Sequence, residues 1–233
     1  RRPSLFCKVR CNASLGSRNM SGTEWFTLLS ISAGLTASCC WMLIASEKLH
    51  LKYTGDVRFH EIHKYHKKPV TRAGGVSLFL GMVGASIYFG LIGDNDLYLS
   101  KWAGIAVLPV LLGGLLEDVT KRISARDRLL LAFLSAAIAH YELGVGFERV
   151  DWPYFDERVV TQPGVSLFLT IIMVAGVAHS TNIIDGFNGL LTGIVITAGI
   201  VFLSVAYYTG DRALVAYTTI LIGCSIGFLF FNF

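Results

Sequence analysis

The sequence predicts an all-α, polytopic transmembrane helical bundle, and three observations carry that prediction. Of the 233 residues, 53% are hydrophobic and only 15% are charged, where a soluble domain carries about 25% charged residues. Mean hydropathy is +0.57. The apolar residues are gathered into continuous runs of 15 to 21 residues. Such runs have the length of bilayer-spanning helices, and their lack of alternation excludes a membrane barrel.

Seven runs qualify, which predicts about seven spans. The first covers 25–45 and begins within "MSGTEWFTLL", residues 20–29, which reads as a natural start. The second, 73–93, opens on paired glycines that allow close helix approach. The third, 102–116, is short and contains Pro109, which predicts a kink. The fourth, 129–146, carries His140 and Glu142 near its far end. Three more follow at 164–180, 190–209 and 213–233. The last reaches residue 233 with no charged anchor to close it, although a finished last span is expected to have one. The bundle is therefore expected to be the N-terminal part of a larger one.

Lysine and arginine set the orientation. The 46–72 loop holds seven of them, the 117–128 loop four and the 179–189 loop none, while the alternate loops hold one, two and one. Eleven against four places 46–72, 117–128 and 179–189 on the cytoplasmic side. The segment "ERVDWPYFDERVV" then lies outside, as a small amphipathic or hairpin cap. Residues 1–19 carry five basic residues and no acid, against this parity. They read as an upstream or non-native extension, with an Arg- and Ser-rich transit peptide as the alternative. Residues 20–233 read as one transmembrane domain. Cys7, Cys11, Cys39, Cys40 and Cys224 have no spacing that suggests a disulfide framework or a zinc site.

Three polar groups remain, all on the cytoplasmic side. In "GGLLEDVTKRISARDRLLLAF", residues 113–133, Glu117 and Asp118 end a span, and Lys121, Arg122, Arg126 and Arg128 follow. The basic residues are explained by topology alone. The adjacent acids are not, and their repulsion makes one hold its proton unless a cation lies nearby. In "NIIDGFNGLLTG", residues 182–193, the Asp-Gly and Asn-Gly pairs fit a tight loop. If the segment is helical instead, Asn182, Asp185 and Asn188 share one face. Three oxygen-bearing side chains near further carboxylates suit a hard cation, Mg²⁺ or Mn²⁺, over zinc. In the third group, residues 56–81, His60, His63 and His66 recur every three residues, but a basic juxtamembrane loop explains them without a metal. Arg72, before Gly74 and Gly75, is placed to reach a phosphate.

Together these motifs resemble the polyprenyl-phosphate N-acetylhexosamine-1-phosphate transferases, a glycosyltransferase family 4 type of bacterial membrane enzyme. The family's P-x-x-R-x-G-G element appears as Pro69-Val70-Thr71-Arg72-Ala73-Gly74-Gly75. Its G-L-x-D-D…R-L element appears as Gly114-Leu115-Leu116-Glu117-Asp118 with Arg128-Leu129. Its N-x-x-D-G-x-[DN]-G-L element appears as Asn182 to Leu190. Two positions depart: the first acid, often Asp, is Glu117, and the second acid of the later motif is Asn188. Both keep an oxygen donor and read as a subfamily trait.

The resemblance implies transfer of an N-acetylhexosamine-1-phosphate from a UDP-sugar to undecaprenyl phosphate, releasing UMP. Mg²⁺ and basic side chains would offset repulsion between the two phosphates. It implies Asp185 as metal ligand, Asn182 and Asn188 positioning metal or nucleotide, and Lys121 and Arg72 on phosphate oxygens. Asp118 would orient or deprotonate the lipid phosphate, supported by Glu117. The implied partners are UDP-N-acetylhexosamine, polyprenyl phosphate and the membrane, with no nucleic acid. The implied location is the bacterial inner membrane, with the site on its cytoplasmic face. An ion-coupled transporter, the alternative from another class, predicts ionisable residues at mid-span, and the spans are nearly free of them. A catalytically silent family member is the third reading.

Overall fold

The computed structural model of the protein describes residues 20–46, 74–92, 97–120, 123–147, 149–157, 162–184 and 189–232. Every regular element among these is helical. Seven are long: α1 (Gly22–Ala45), α2 (Gly74–Ile92), α3 (Leu97–Thr120), α4 (Ala125–Leu143), α5 (Pro163–Ile184), α6 (Leu190–Thr209) and α7 (Arg212–Leu229). All but α4 are long and apolar enough to cross a bilayer. Arg126, Asp127, Arg128 and Glu142 crowd the two ends of α4. Its uncharged stretch is thereby cut to about 20 Å, against a hydrocarbon core of about 30 Å. The protein is a multi-pass membrane protein.

Local chemistry explains where the helices begin and end. At the head of α1 the Ser21 hydroxyl accepts from the Glu24 amide while Glu24 accepts from the Ser21 amide, closing a capping box. Gly144 ends α4 in the left-handed region, at φ 64°, where a side chain would be strained. The expected kink at Pro109 does not interrupt α3, which runs continuously for 24 residues. Pro109 has no N–H for the Ile105 carbonyl four residues back; the adjacent Ala106 carbonyl accepts from Ser135 of α4. The last helix ends at Leu229, short of the expected 233, and Asn232 lies 3.5 Å from Thr192 Oγ1 of α6. The expected outer cap contains a single helical turn, Pro153–Phe155, where Asp156 accepts from the Val150 amide at 2.8 Å.

Two groups of helices can be distinguished by their contacts. In one, α7 packs on α1, α2 and α6, and α1 packs on α2. In the other, α3, α4 and α5 pack in sequence, and α2 against α3 is the main link between the groups. Of the α7 span 56% is buried, against 11–22% for the other five apolar spans, so α7 is the central helix. Small residues let it come close. A Cβ on Gly223 would lie 2.8 Å from the Leu29 carbonyl, and one on Gly227 would collide with the Ala33 carbonyl. Without a hydrophobic drive between helices in lipid, such backbone approach is the main source of packing energy. Leu28, Ala85, Ala216, Ile220 and Cys224 fill the centre.

Candidate active site

The helix ends that carry the motifs meet on one face of the bundle. Gly74 opens α2, and a Cβ there would press into the Phe228 ring of α7 at 2.8 Å. Glycine at this position lets the two helix ends touch.

Glu117 and Asp118 lie in the last turn of α3. Two carboxylates at a helix C-terminus are opposed by the helix dipole and by each other. The structure supplies the cation that relieves this. Arg128 Nη1 donates to both oxygens of Glu117, at 3.1 and 2.8 Å. Arg128 stands in the first turn of α4, whose start is fixed by a second capping box. The Ser124 amide donates to Asp127 at 3.0 Å, and the Asp127 amide donates to the Ser124 hydroxyl at 3.3 Å. Hydrogen bonds from the Ser124 hydroxyl and amide hold the Asp127 carboxyl below its usual range. The tight α3–α4 turn thus delivers a guanidinium onto one acid of the pair.

The two acids open into different cavities. Glu117 lines a cavity of about 190 Å³ among α3, α4 and α5, together with Arg128, His179 and Asn182. Asp118 lines a cleft of about 400 Å³ between α2 and α3, whose walls include Phe79, Met82, Val107 and Leu111, with Tyr217 from α7. Gly114 borders both, and a Cβ there would meet nothing within 4 Å. One acid therefore shares its cavity with Arg128, His179 and Asn182 and the other opens into a largely apolar cleft, because adjacent helix positions point about 100° apart.

Of the residues singled out by sequence, Glu117, Asp118 and Asn182 are described, with Asn182 in the last turn of α5. Asp185, Asn188, Lys121 and Arg72 lie outside the described residues. Among the described residues no group of three or more His, Cys, Asp or Glu is placed to hold a metal. The motif donors described, the Asp118 carboxylate and the Asn182 amide, are oxygen donors. They fit a hard cation and not a thiophilic one. His179 was not foreseen; its only signal is its place one helical turn before Asn182, on the same face.

A family model described as glycosyl transferase family 4 matches residues 99–233. The chain belongs to that family. Over 172 residues it is 28% identical to a Bacillus subtilis (strain 168) protein named "Probable undecaprenyl-phosphate N-acetylglucosaminyl 1-phosphate transferase", covering 73% of this chain and 46% of the relative. Over 210 residues it is 29% identical to a phospho-N-acetylmuramoyl-pentapeptide-transferase of Protochlamydia amoebophila (strain UWE25), covering 63% of this chain and 48% of the relative. A Lactobacillus gasseri protein of the same name is 26% identical over 226 residues, covering 89% of this chain and 68% of the relative. The chain thus spans about half the length of the first two. No solved structure matches.

Proposed function

We propose that the protein transfers an N-acetylhexosamine-1-phosphate from a UDP-sugar to polyprenyl phosphate, as the initiating step of a cell-envelope glycan. The observation that carries this reading is the division of the acid pair between a cavity that gathers Arg128, His179 and Asn182 and a more strongly apolar cleft. A soluble nucleotide and a lipid phosphate are the two substrates that such a site suits. Family membership and the transferase names of the relatives support it.

In the reaction an oxygen of the lipid phosphate attacks the sugar-bearing phosphorus. A new P–O bond forms, the P–O bond to UMP breaks, and UMP leaves with the electron pair. Asp118, at the end of the apolar cleft, orients the lipid phosphate and takes its proton where it is still protonated. Glu117, neutralised by Arg128, holds the α3–α4 turn, so that its charge does not oppose the incoming phosphates. Asn182 and Asn188 position the nucleotide, while Lys121 binds phosphate oxygens as a point charge and Arg72 through its planar guanidinium. Asp185 would hold Mg²⁺, which when bound supplies charge neutralisation between donor and acceptor. The site lies on the cytoplasmic face of a bacterial inner membrane, where UDP-sugars are made.

The test is incubation of the purified protein with polyprenyl phosphate and several radiolabelled UDP-sugars, with and without a chelator, followed by counting of the lipid fraction. EDTA-sensitive label in lipid, with release of UMP, is the expected result. Label that never enters lipid, or ion-coupled uptake into vesicles, would overturn the reading.

A further inference from the structure

At the end of α4 far from the acid pair, Gly144 turns the chain at φ 64°, and residues 144–147 are not helical. Their backbone is nevertheless bound by side chains of the two helices beside them. His140 Nδ1 of α4 donates to the Val145 carbonyl at 2.9 Å. From α5, Ser166 Oγ donates to the Phe147 carbonyl at 2.8 Å, and Thr170 Oγ1 accepts from the Phe147 amide at 3.4 Å. A loop in water has no need of such partners, whereas irregular backbone at membrane depth is tolerated only where protein satisfies it.

Two independent depths agree. Thr170 stands seven residues inside the start of α5 at Pro163, and α5 is long and apolar enough to cross the bilayer from Gly164 to Asn182. At 1.5 Å per residue, Phe147 is therefore held about 10 Å inside that helix end. Separately, the uncharged part of α4 falls about 10 Å short of the hydrocarbon core. Its other end is fixed by Arg128 against Glu117 in the last turn of α3, so the shortfall lies at Gly144.

The surface of this turn is apolar. Val145, Val150, Trp152 and Tyr154 are each about half exposed or more. Trp and Tyr favour the headgroup level of a bilayer. An extended chain gains up to about 3.3–3.6 Å per residue, so the ion-paired Arg149 and Asp151 can already stand among headgroups.

We infer that residues 144–155 form a re-entrant dip in the leaflet opposite the acid pair, with Val145 among acyl chains and Trp152 and Tyr154 at the headgroups. The partner of this surface is the lipid of the host bilayer and not a second protein. The inference does not depend on the transferase reading.

The test uses the purified protein in nanodiscs of phosphatidylglycerol and phosphatidylethanolamine. On a background with the native cysteines replaced, Val145→Cys and Arg149→Cys are treated with a charged maleimide. Val145 is 51% exposed and the Arg149 side chain 77% exposed in the protein itself, so lipid is what would separate them. Val145→Cys is expected to react at least about tenfold more slowly, because a charged reagent enters hydrocarbon at high cost. Equal rates would mean a recess open to water and overturn the inference. A second measurement compares tryptophan emission with and without lipids brominated near the headgroup end of the acyl chain. The difference between the unaltered protein and Trp152→Phe gives the share of Trp152, which is expected to lose most of its emission. Emission untouched by bromine would indicate water or a protein partner and also overturns the inference. This second measurement stands where the Val145→Cys variant does not fold.

Discussion

Arg128→Ala tests whether the α3–α4 turn is held by the ion pair. A solvent-exposed pair contributes up to about 1 kcal/mol, and breaking a fully buried one costs about 3–5 kcal/mol. Here the side chains of Arg128 and Glu117 are 27% and 29% exposed. The removal also returns Glu117 to the company of Asp118 at a helix C-terminus. An intermediate cost of about 2 kcal/mol follows, or roughly 4–8 °C in melting temperature. The assay is a double-mutant cycle of Arg128→Ala and Glu117→Gln by thermal melting in one detergent. A coupling of about 1 kcal/mol or more is expected, and additivity within about 0.3–0.5 kcal/mol would refute the reasoning. A single nitrogen, Nη1, serves both Glu117 oxygens, so the planar fork of arginine is not used. Arg128→Lys is therefore expected to keep more than half of the coupling.

Four further outcomes are expected. Asp118→Asn should lower sugar-phosphate transfer about a hundredfold or more while membrane insertion, read by carbonate extraction, is unchanged; full activity would remove Asp118 from the mechanism. Val107→Trp should fill the apolar cleft and raise KM for polyprenyl phosphate but not for the UDP-sugar, and the opposite pattern would move the lipid chain elsewhere. Gly227→Ala should destabilise the bundle by about 1–3 kcal/mol through overpacking, whereas Gly34→Ala, where a Cβ meets nothing within 4 Å, should be neutral or stabilising in a melting assay. On a background with the five native cysteines replaced, single cysteines at Arg126 and Asp156 should be labelled from opposite sides of spheroplasts, and labelling from one side would reverse the topology.

Much of the bundle was legible because lipid imposes one rule on every span. Apolar runs at 190–209 and 25–45 map almost residue for residue onto α6 and α1. The rule weakens where charge intrudes. The run at 129–146 is displaced toward Arg126 in α4, because the Ser124–Asp127 box starts the helix before the apolar residues do. α3 runs on through Pro109, and a sequence cannot show that the Ser135 hydroxyl of the next helix binds the backbone close by. At the candidate site, spacing singled out the acid pair and Asn182, and the structure puts all three at helix ends. The separation of Glu117 from Asp118 was not legible, since it depends on how α3 is rotated against α2 and α4. His179 was hidden for a related reason: a lone histidine on an apolar helix acquires meaning only once Arg128 and Asn182 are seen around one cavity.

The central place of α7 has a consequence for biosynthesis. Its contacts with α1 are among the longest in sequence in the molecule, and Cys224 reaches the Ser32 carbonyl across 192 positions. The stretch from Ala45 to Arg212 takes on the order of ten to thirty seconds to synthesise at ribosomal speed. Throughout that interval α1, joined by α2 once it is made, waits with the groove meant for α7 open and with Ser32 beside it. The nascent chain must be shielded during that wait, by an insertase or by lipid. Substitutions that enlarge Gly223 or Gly227 would then act first on the yield of inserted protein, by denying the late helix its seat, before any effect on the finished fold is felt.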